Sequence, residues 1–292
     1  MKPRIAMVAV AAGLMTAYPF HAAVADDSAD TGRHLRLGFG LPEPAAVEGY
    51  VGVGAGILPV YEGADEVGAT AQPLANIRYP GLFFLKGASV NPNDGLASAG
   101  LTVLNLTYTE GSDTIARISL GPLVRYRGGR NEDDSDALSG MGDVDDSIEV
   151  GGFLEASAGP LSAEISVAQD AGGGHDGLLV AFGTKYTAPV SDRLTVAAGL
   201  SSSWADADYT QTYFGVSSVQ ASQSGLAAFD GGSGFKDVGL QIEASYAVSE
   251  NWVLIGQAGY QRLLTDAADS PLVDQEGSAD QFLALIGVAY RF

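Results

Sequence analysis

The chain has 292 residues, no cysteine, and 35 acidic against 15 basic residues, for a formal net charge of −20 at pH 7. This balance excludes a protein that binds nucleic acid, because the phosphates demand a basic surface. Without cysteine no disulfide can staple the fold, so a large hydrogen-bonded sheet or a hydrophobic core must stabilise it.

The first 25 residues have the parts of a signal peptide. Lys2 and Arg4 form a basic start, residues 5–15 form an uncharged apolar run, and a small-residue pattern, Ala-Val-Ala, ends at residue 25. The apolar run is too short for a transmembrane helix, which needs about 20 residues. We therefore predict an exported chain with an N-terminal periplasmic segment over residues 26–48.

Residues 49–292 are predicted to form one transmembrane β-barrel. Because no later stretch is long enough for a helical span, the chain can cross a membrane only as a closed barrel, in which every backbone group pairs with a neighbouring strand. Alternation of apolar and polar side chains, clearest in 237–248 and 284–292, is typical of strands between lipid and lumen. The predicted strands are 49–58, 70–79, 82–90, 96–108, 114–127, 147–157, 161–170, 178–188, 193–204, 237–248, 252–264 and 284–292.

Two of these twelve segments, 82–90 and 96–108, alternate poorly, so a ten-stranded barrel stays open as an alternative. Short turn sequences and longer segments alternate along the chain, which is typical of a barrel with turns at the periplasmic rim and loops at the outer rim. An even number of strands places both termini in the periplasm. The longer segments are 59–69, 91–95, 128–146, 170–177, 205–234 and 265–279.

The chain ends on Phe292, with Tyr290 two positions before it. This ending resembles the C-terminal signal that the barrel assembly machinery of the outer membrane recognises. The alternative is the final strand of a soluble β-sandwich, which the predicted signal peptide makes less favourable.

Short motifs follow one another in the connecting segments, none of them specific alone. They include Tyr61 and Gly63, Gly129 and Arg130, Gly142 with Asp143 and Asp145, His175 and Gly177, Trp204 and Tyr209, Phe214 and Gly215, and Ser270 and Pro271. In their order and spacing these motifs resemble the MipA/OmpV family of outer-membrane proteins, named for a scaffold protein that interacts with MltA.

The resemblance covers nearly the whole mature chain and implies a barrel without established enzymatic activity, catalytic residues or a cofactor. It further implies a role in scaffolding a peptidoglycan hydrolase with a synthase, and other members are linked to osmotic or antibiotic response and adhesion. We therefore expect a structural or scaffolding protein of the cell outer membrane. A narrow channel for small solutes is the alternative.

Charged side chains on the predicted strands are expected to face the lumen. They could form rings that select solutes, or they could pair with one another and fill a narrow interior. The near balance of signs favours paired charges, which are tolerated where a lone interior charge would be costly. The set comprises Arg78, Arg117, Arg125, Arg127, Glu149, Glu155, Glu164, Lys185, Arg193, Asp237 and Glu243.

His175 follows three glycines. Together with Asp176, and with Asp143 and Asp145 of another loop, it resembles the acid and histidine arrangement of barrel proteases, in which a base activates water. Ser270 could act as a nucleophile with His175. No orienting third group or oxyanion donor can be named, however. We favour a tight glycine loop in which His175 hydrogen-bonds to a neighbouring loop.

An acidic loop and a set of aromatic residues complete the candidates. The loop carboxylates could hold Ca²⁺ or Mg²⁺ loosely at the lipopolysaccharide surface, although they lack EF-hand spacing and predict no specific metal site. Aromatic residues at strand ends are interpreted as interfacial anchors, with sugar stacking by Trp204, Tyr209, Tyr213 and Phe214 as the alternative. The loop carboxylates are Asp133, Asp134, Asp136, Asp143, Asp145 and Asp146, and the anchors are Tyr79, Tyr126, Trp204, Trp252, Tyr260 and Tyr290.

Overall fold

The computed structural model describes residues 33–39, 46–110 and 113–292. In these ranges fourteen strands form one antiparallel sheet, and four short α-helices lie in its connections. The strands are β1 (Arg33–Phe39), β2 (Glu48–Pro59), β3 (Val67–Tyr79), β4 (Phe83–Lys86), β5 (Ala97–Leu101), β6 (Leu104–Glu110), β7 (Asp113–Arg127), β8 (Ser147–Ala158), β9 (Leu161–Asp170), β10 (Leu178–Pro189), β11 (Leu194–Ala205), β12 (Gly234–Ala247), β13 (Trp252–Leu263) and β14 (Asp280–Arg291). The helices are α1 (Ala207–Phe214), α2 (Ser218–Ser224), α3 (Thr265–Asp269) and α4 (Pro271–Asp274).

The sheet closes into a barrel because β14 pairs with β2 and every following strand pairs with the next. β5 and β6 are two parts of one barrel strand, broken at residues 102–103, and both pair with β7. Counted this way the barrel has twelve strands, which confirms the prediction over the ten-stranded alternative. The two weakly alternating segments are the irregular ones, since β4 has only four residues and β5 with β6 is interrupted.

β1 is an additional strand that the alternation pattern did not predict. All seven of its residues pair antiparallel with β6, from Arg33 opposite Glu110 to Phe39 opposite Leu104. β4 begins at Phe83, which pairs with Leu101 of β5, so β4 does not reach β6. The edge of β6 that faces away from β7 is therefore available to β1. The predicted signal peptide, residues 1–25, lies outside the described residues, and the domain limits stay predictions.

The two faces of the strands differ as the alternation predicts. On β14, Ile286 is 67% exposed on the outer face, whereas Leu285 and Ala289 are buried inside. On β13, Ile255 is fully buried inside, and Leu254 is exposed outside. The outward apolar band matches a lipid-facing surface. No helix of the described ranges is long and apolar enough to cross a membrane.

The connections separate the barrel into two rims. We call the end with residues 80–82, 159–160, 190–193 and 248–251 the short-turn rim, and the opposite end the long-loop rim. At the long-loop rim, residues 60–66, 128–146, 171–177, 206–233 and 264–279 pack into one layer, which we call the cap. Two buried clusters hold the cap together: one contains Leu179, Ala205, Tyr209, Tyr213, Phe214, Leu263, Ala267 and Val273, and the other contains Tyr61, Ala64, Leu138, Met141, Val216, Leu226 and Leu272.

Candidate functional site

A segment between β4 and β5, residues 87–96, folds into the lumen, and we call it the inner segment. Its Val90 packs in a buried apolar cluster with Leu74, Ile255 and Leu283 of the barrel wall. A Cβ added at Gly259 would lie 2.9 Å from the Val90 carbonyl oxygen, so β13 needs glycine there for the inner segment to approach. The inner segment separates two cavities, which share Ser89 in their linings.

A buried charge cluster surrounds Glu149 on the cap side of the inner segment. Arg125 Nη1 lies 3.0 Å from Glu149 Oε2, and the Arg127 guanidinium bonds Oε1. His175 Nε2 is 3.3 Å from the same Oε1. Because the Gly177 backbone N–H donates to His175 Nδ1 at 3.1 Å, the ring proton is on Nε2 and is donated to Glu149. Glu149 therefore accepts from two arginines of the neighbouring strand β7 and from one cap loop.

The 171–177 loop that carries His175 is held by Asp170. One carboxylate oxygen of Asp170 accepts from the Gly172 N–H at 2.7 Å, and the other accepts from the His175 and Asp176 N–H groups at 2.8 and 3.0 Å. His175 also accepts from the hydroxyl of Thr212 in α1, at 3.4 Å, through its carbonyl oxygen. The histidine is thus fixed between a strand and a neighbouring part of the cap.

The hydroxyl of Ser270, the candidate nucleophile, forms hydrogen bonds within the cap. Its hydroxyl donates to the Phe214 carbonyl oxygen at 2.6 Å and accepts from the Leu272 N–H at 3.2 Å, where it caps α4. Pro271 occupies the first turn of that helix and is buried. Neither of the two Ser270 bonds involves His175.

A second buried cluster centres on Lys236. Its ammonium group bonds Glu62 and lies 3.1 Å from Asp237 Oδ2. Asp237 also accepts from the Ser203 hydroxyl at 2.5 Å and from Asn93 Nδ2 of the inner segment at 3.1 Å. The cluster therefore joins the cap, the wall and the inner segment.

Tyr209 of α1 links the two charge clusters. Its hydroxyl donates to Glu62 Oε2 at 3.0 Å. Its ring lies 5.7 Å from the Arg127 guanidinium and 5.3 Å from Lys236 Nζ, within cation–π range. Burial, followed by the charge of Glu62, raises the pKa of Tyr209 well above its ordinary value. The cap is therefore anchored by a neutral phenol between two cations.

Lys236 was missed by the sequence pattern because it lies at a β-bulge. Ser203 pairs with Asp237 and Trp204 pairs with Phe235, so Lys236 is the extra residue of β12. A bulge puts two successive side chains on one side of a sheet, which a period of two does not predict. The only sequence signal was Lys next to Asp at a predicted strand start.

The lower cavity, on the short-turn side of the inner segment, has a volume of about 190 Å³. Three contacts of its lining are Arg78 to Glu155 at 3.1 Å, Lys86 to Glu164 at 2.9 Å, and Gln257 Nε2 to Glu243 Oε2 at 2.7 Å. Lys185 also lines this cavity. Arg117 lines a smaller cavity at the short-turn rim, and Arg193 is exposed in the turn before β11.

The upper cavity, between the inner segment and the cap, has a volume of about 280 Å³. Its walls come from β2, β13 and β14, and its roof from α1 and the loop that begins at residue 128. The residues that matter below are Leu58, Tyr61, Glu62, Leu96, Arg127, Arg130, Tyr209, Tyr213, Gln261 and Leu283.

The acidic loop uses several carboxylates to fix its own backbone. Asp143 Oδ1 accepts from the Glu132 N–H at 2.7 Å, and Asp146 Oδ1 accepts from the Gly129 N–H at 2.8 Å. Asp133, Asp136 and Asp145 are exposed. Over the described ranges no group of three or more histidine, aspartate or glutamate side chains has a metal-binding arrangement.

The remaining motif glycines serve the packing of the cap. Gly63 adopts φ +101°, a left-handed conformation that favours glycine, and a Cβ there would lie 2.6 Å from Val273 Cγ2. A Cβ on Gly177 would lie 2.3 Å from the Tyr209 nitrogen, and one on Gly215 would lie 2.1 Å from Gln211 Nε2. Gly142 also has a positive φ, +71°. Gly63, Gly177 and Gly215 therefore mark close approaches within the cap, whereas Gly142 has open space around it.

The predicted aromatic residues divide into two groups. Trp252 and Tyr290 are exposed on adjacent strands with ring centroids 5.6 Å apart, and the tilted rings of Tyr260 and Phe282 have centroids 5.1 Å apart. Trp204 is half-buried, and Tyr79 and Tyr126 lie at the ends of β3 and β7. Tyr209, Tyr213 and Phe214 are buried in the cap, so their rings are not available to a sugar at the outer surface.

A family model described as MltA-interacting protein MipA matches residues 51–292. The chain is 31% identical over 99 residues to the MltA-interacting protein of Escherichia coli K12, a match covering 34% of this chain and 38% of that protein. It is 34% identical over 90 residues to the outer membrane protein OmpV of Vibrio cholerae, covering 31% and 33%. These matches span less than two-fifths of either relative. The solved NanC porin aligns over 83% of this chain and 100% of its own, with 9% identity and a TM-score of 0.44.

Proposed function

The chain belongs to the MipA family of outer-membrane β-barrel proteins, and from this premise we propose that it is a non-enzymatic, non-conducting scaffold of the bacterial envelope. The observation that supports the proposal is the cap, which packs two apolar clusters and two charge clusters across the long-loop end of the lumen. A solute pathway would have to break these contacts. The apolar cluster around Val90 narrows the lumen further.

The charge clusters give the cap its resistance to opening. Lys236 of the wall is buried and bonds Glu62 of the cap, so lifting the cap would deprive its ammonium group of that partner in a poorly solvated interior. Such a separation costs about 3–5 kcal/mol when one partner of a buried pair is lost. A cap held this way is suited to a static role rather than to frequent gating.

The partner we propose is a peptidoglycan hydrolase, because the family model and the Escherichia coli relative carry the name MltA-interacting protein. Peptidoglycan lies on the periplasmic side, where bacterial barrels have their short turns. At that rim β1 extends the sheet beyond the barrel and exposes Leu35 and Leu37, which are 57% and 42% accessible. An exposed apolar edge strand offers both backbone groups and side chains to a partner. The outer membrane with its lipopolysaccharide and the barrel assembly machinery are the further partners of this proposal.

Co-purification from mildly solubilised envelopes tests the scaffold. We expect an MltA-type hydrolase to co-purify with the tagged wild-type protein and to be lost from the double variant Leu35→Asp, Leu37→Asp. Val219→Asp is the matched control, since Val219 is 62% exposed but lies on α2 at the opposite rim. Failure of the wild type to retain any hydrolase would contradict the scaffold function. Equal retention by both variants would show that β1 is not the surface that binds the hydrolase.

A narrow channel is the second candidate, and the charged lower cavity favours it. Planar bilayer recordings separate the two functions. We expect no discrete openings from the purified, folded wild-type barrel. Reproducible conductance steps from the wild type would overturn the non-conducting role, and ion selectivity altered by Lys185→Glu would assign the current to the lumen.

A further inference from the structure

The upper cavity has the polar groups of a ligand site, and the geometry points to a small organic carboxylate as its ligand. This inference goes beyond the scaffold role, because it concerns the space beneath the cap and not the outer surface. The residues that line the cavity carry three buried hydrogen-bond donors without a partner, from three different elements. They are Arg130 Nε, Gln261 Nε2 and the Tyr213 hydroxyl, and none has a hydrogen-bond partner in the described part of the chain.

Arg130 is the central group. It is 4% exposed, and its backbone is fixed by two hydrogen bonds with Val144, at 2.9 and 2.7 Å. Its Nη1 donates to the Tyr213 carbonyl oxygen at 2.9 Å. No carboxylate in the described ranges forms an ion pair with it, and burial lowers the pKa of its guanidinium below the ordinary value. A buried cation with a spare donor and no counterion is costly unless an anion joins it.

The other two residues with unpartnered donors are also buried. Gln261 on β13 is 2% exposed, and Tyr213 on α1 is 6% exposed. Buried polar groups nearly always have hydrogen-bond partners, so three unpartnered donors around one cavity form an unusual concentration. A carboxylate supplies only acceptors, with about four lone-pair positions, and therefore complements all three.

Of the two arginines that line the cavity, Arg127 bonds Glu149, whereas Arg130 bonds no carboxylate in the described ranges. The two buried clusters contain three carboxylates, Glu62, Glu149 and Asp237, which bond Arg125, Arg127 and Lys236. A bound monoanion would supply Arg130 with the counterion that it lacks.

The apolar part of the lining favours an apolar group on the ligand, and the cavity volume limits its size. Leu58, Leu96 and Leu283 line the cavity together with the Tyr61 ring. Its volume of about 280 Å³ lies just below the range of about 300–1,000 Å³ that is typical of small-molecule pockets. The site is therefore suited to a carboxylate on a compact apolar or aromatic body rather than to an oligosaccharide.

The test uses 4-fluorobenzoate as the probe and ¹⁹F NMR as the readout, with the full-length folded barrel in detergent micelles. We expect saturable broadening of the probe resonance by the barrel and none by empty micelles. Neutral 4-fluorobenzamide, which has the same body, should bind at least ten-fold more weakly. Equal binding of acid and amide would show that the carboxylate is not recognised, and no binding of either would show that the cavity takes no such ligand; both results would overturn the inference.

Two variants locate the binding. Arg130→Gln should abolish it, and Tyr213→Phe should weaken it several-fold while leaving the thermal midpoint unchanged or raised, because the lost hydroxyl has no partner. Arg262→Gln is the control, since Arg262 is an exposed arginine that pairs with Asp280. Unchanged affinity in Tyr213→Phe and Arg130→Gln would exclude this cavity. The hydrolase co-purification is independent of the probe, so either proposal can fail alone.

Discussion

The capped half of the lumen and the short-turn half both contain pairs of inward-facing charges, but the pairs differ in their burial. At the cap, Glu149 and Arg125 are almost fully buried and are bonded by groups from several elements. Near the short turns, Arg78 is 39% exposed in its pair with Glu155. Buried pairs are sensitive to the loss of one partner, whereas exposed pairs contribute little. Inward-facing charges alone therefore do not indicate a channel, because a buried pair stabilises the fold and only an exposed pair is accessible to solutes.

The largest expected effect comes from Glu149→Gln, which leaves Arg125 and Arg127 without their shared carboxylate. We expect the free energy of unfolding to fall by about 3–5 kcal/mol, as for other buried pairs that lose one partner. Urea-induced unfolding in detergent, followed by tryptophan fluorescence, measures the change. The cap loop that carries His175 should also become sensitive to protease.

Glu155→Gln is the matched control for that substitution, because it removes one carboxylate from a partly exposed pair. Its cost should stay within about 0.2–1 kcal/mol, the range of solvent-screened pairs. Similar costs for the two variants would contradict the distinction between the two halves. A larger cost for Glu155→Gln would reverse it.

The barrel itself could be predicted from the sequence because lipid and lumen impose a period of two on every strand. The pattern failed where that constraint is relaxed. β4 is only four residues long, the strand formed by β5 and β6 is broken at residues 102–103, and Lys236 lies at a bulge. β1 was not predicted because it pairs along one edge only, with β6, outside the barrel. Such a strand has no alternation between lipid and lumen that would identify it.

The site could be predicted only in its parts. Arg125, Arg127 and Glu149 were placed in the lumen by alternation, and Tyr209 and Arg130 were singled out as motif residues. Their partners could not be predicted, because the contacts join distant parts of the chain. Lys236 and Glu62 are 174 positions apart, and Arg130 and Tyr213 are 83 apart. Such contacts depend on how the loops fold over the rim, and no local periodicity records that.

A smaller effect is expected from Gly259→Ala, which places a methyl group against the backbone of the inner segment. The added Cβ would lie 2.9 Å from the Val90 carbonyl oxygen, so Val90 must move or β13 must distort. We expect a cost of about 1–3 kcal/mol, as for other overpacked sites. Limited proteolysis between residues 87 and 96 reports the displacement.

Gly256→Ala is the control on the same strand, because a Cβ at Gly256 has no atom within 4 Å. It should change the free energy of unfolding by less than about 0.5 kcal/mol, as surface substitutions do. Protection of the inner segment in both variants would show that the two cavities are not separated by the contact at Val90. The division of the lumen on which the comparison rests would then be lost.

The smallest expected effect concerns alkaline pH and the cap alone. Burial, followed by the charge of Asp65, raises the pKa of Tyr61 to about 12, while an unfolded tyrosine titrates near 10. Because the folded pKa is the higher one, the contribution of the protonated phenol is complete below pH 10 and is lost as the pH rises toward 12. Tyr61→Phe should therefore flatten the decline in stability between pH 10 and 12 and leave the slope below pH 9 unchanged. Thermal midpoints across that range measure the slope; an identical decline in Tyr61→Phe would assign the alkaline sensitivity to Tyr209 and Tyr213, whose pKa values burial also raises.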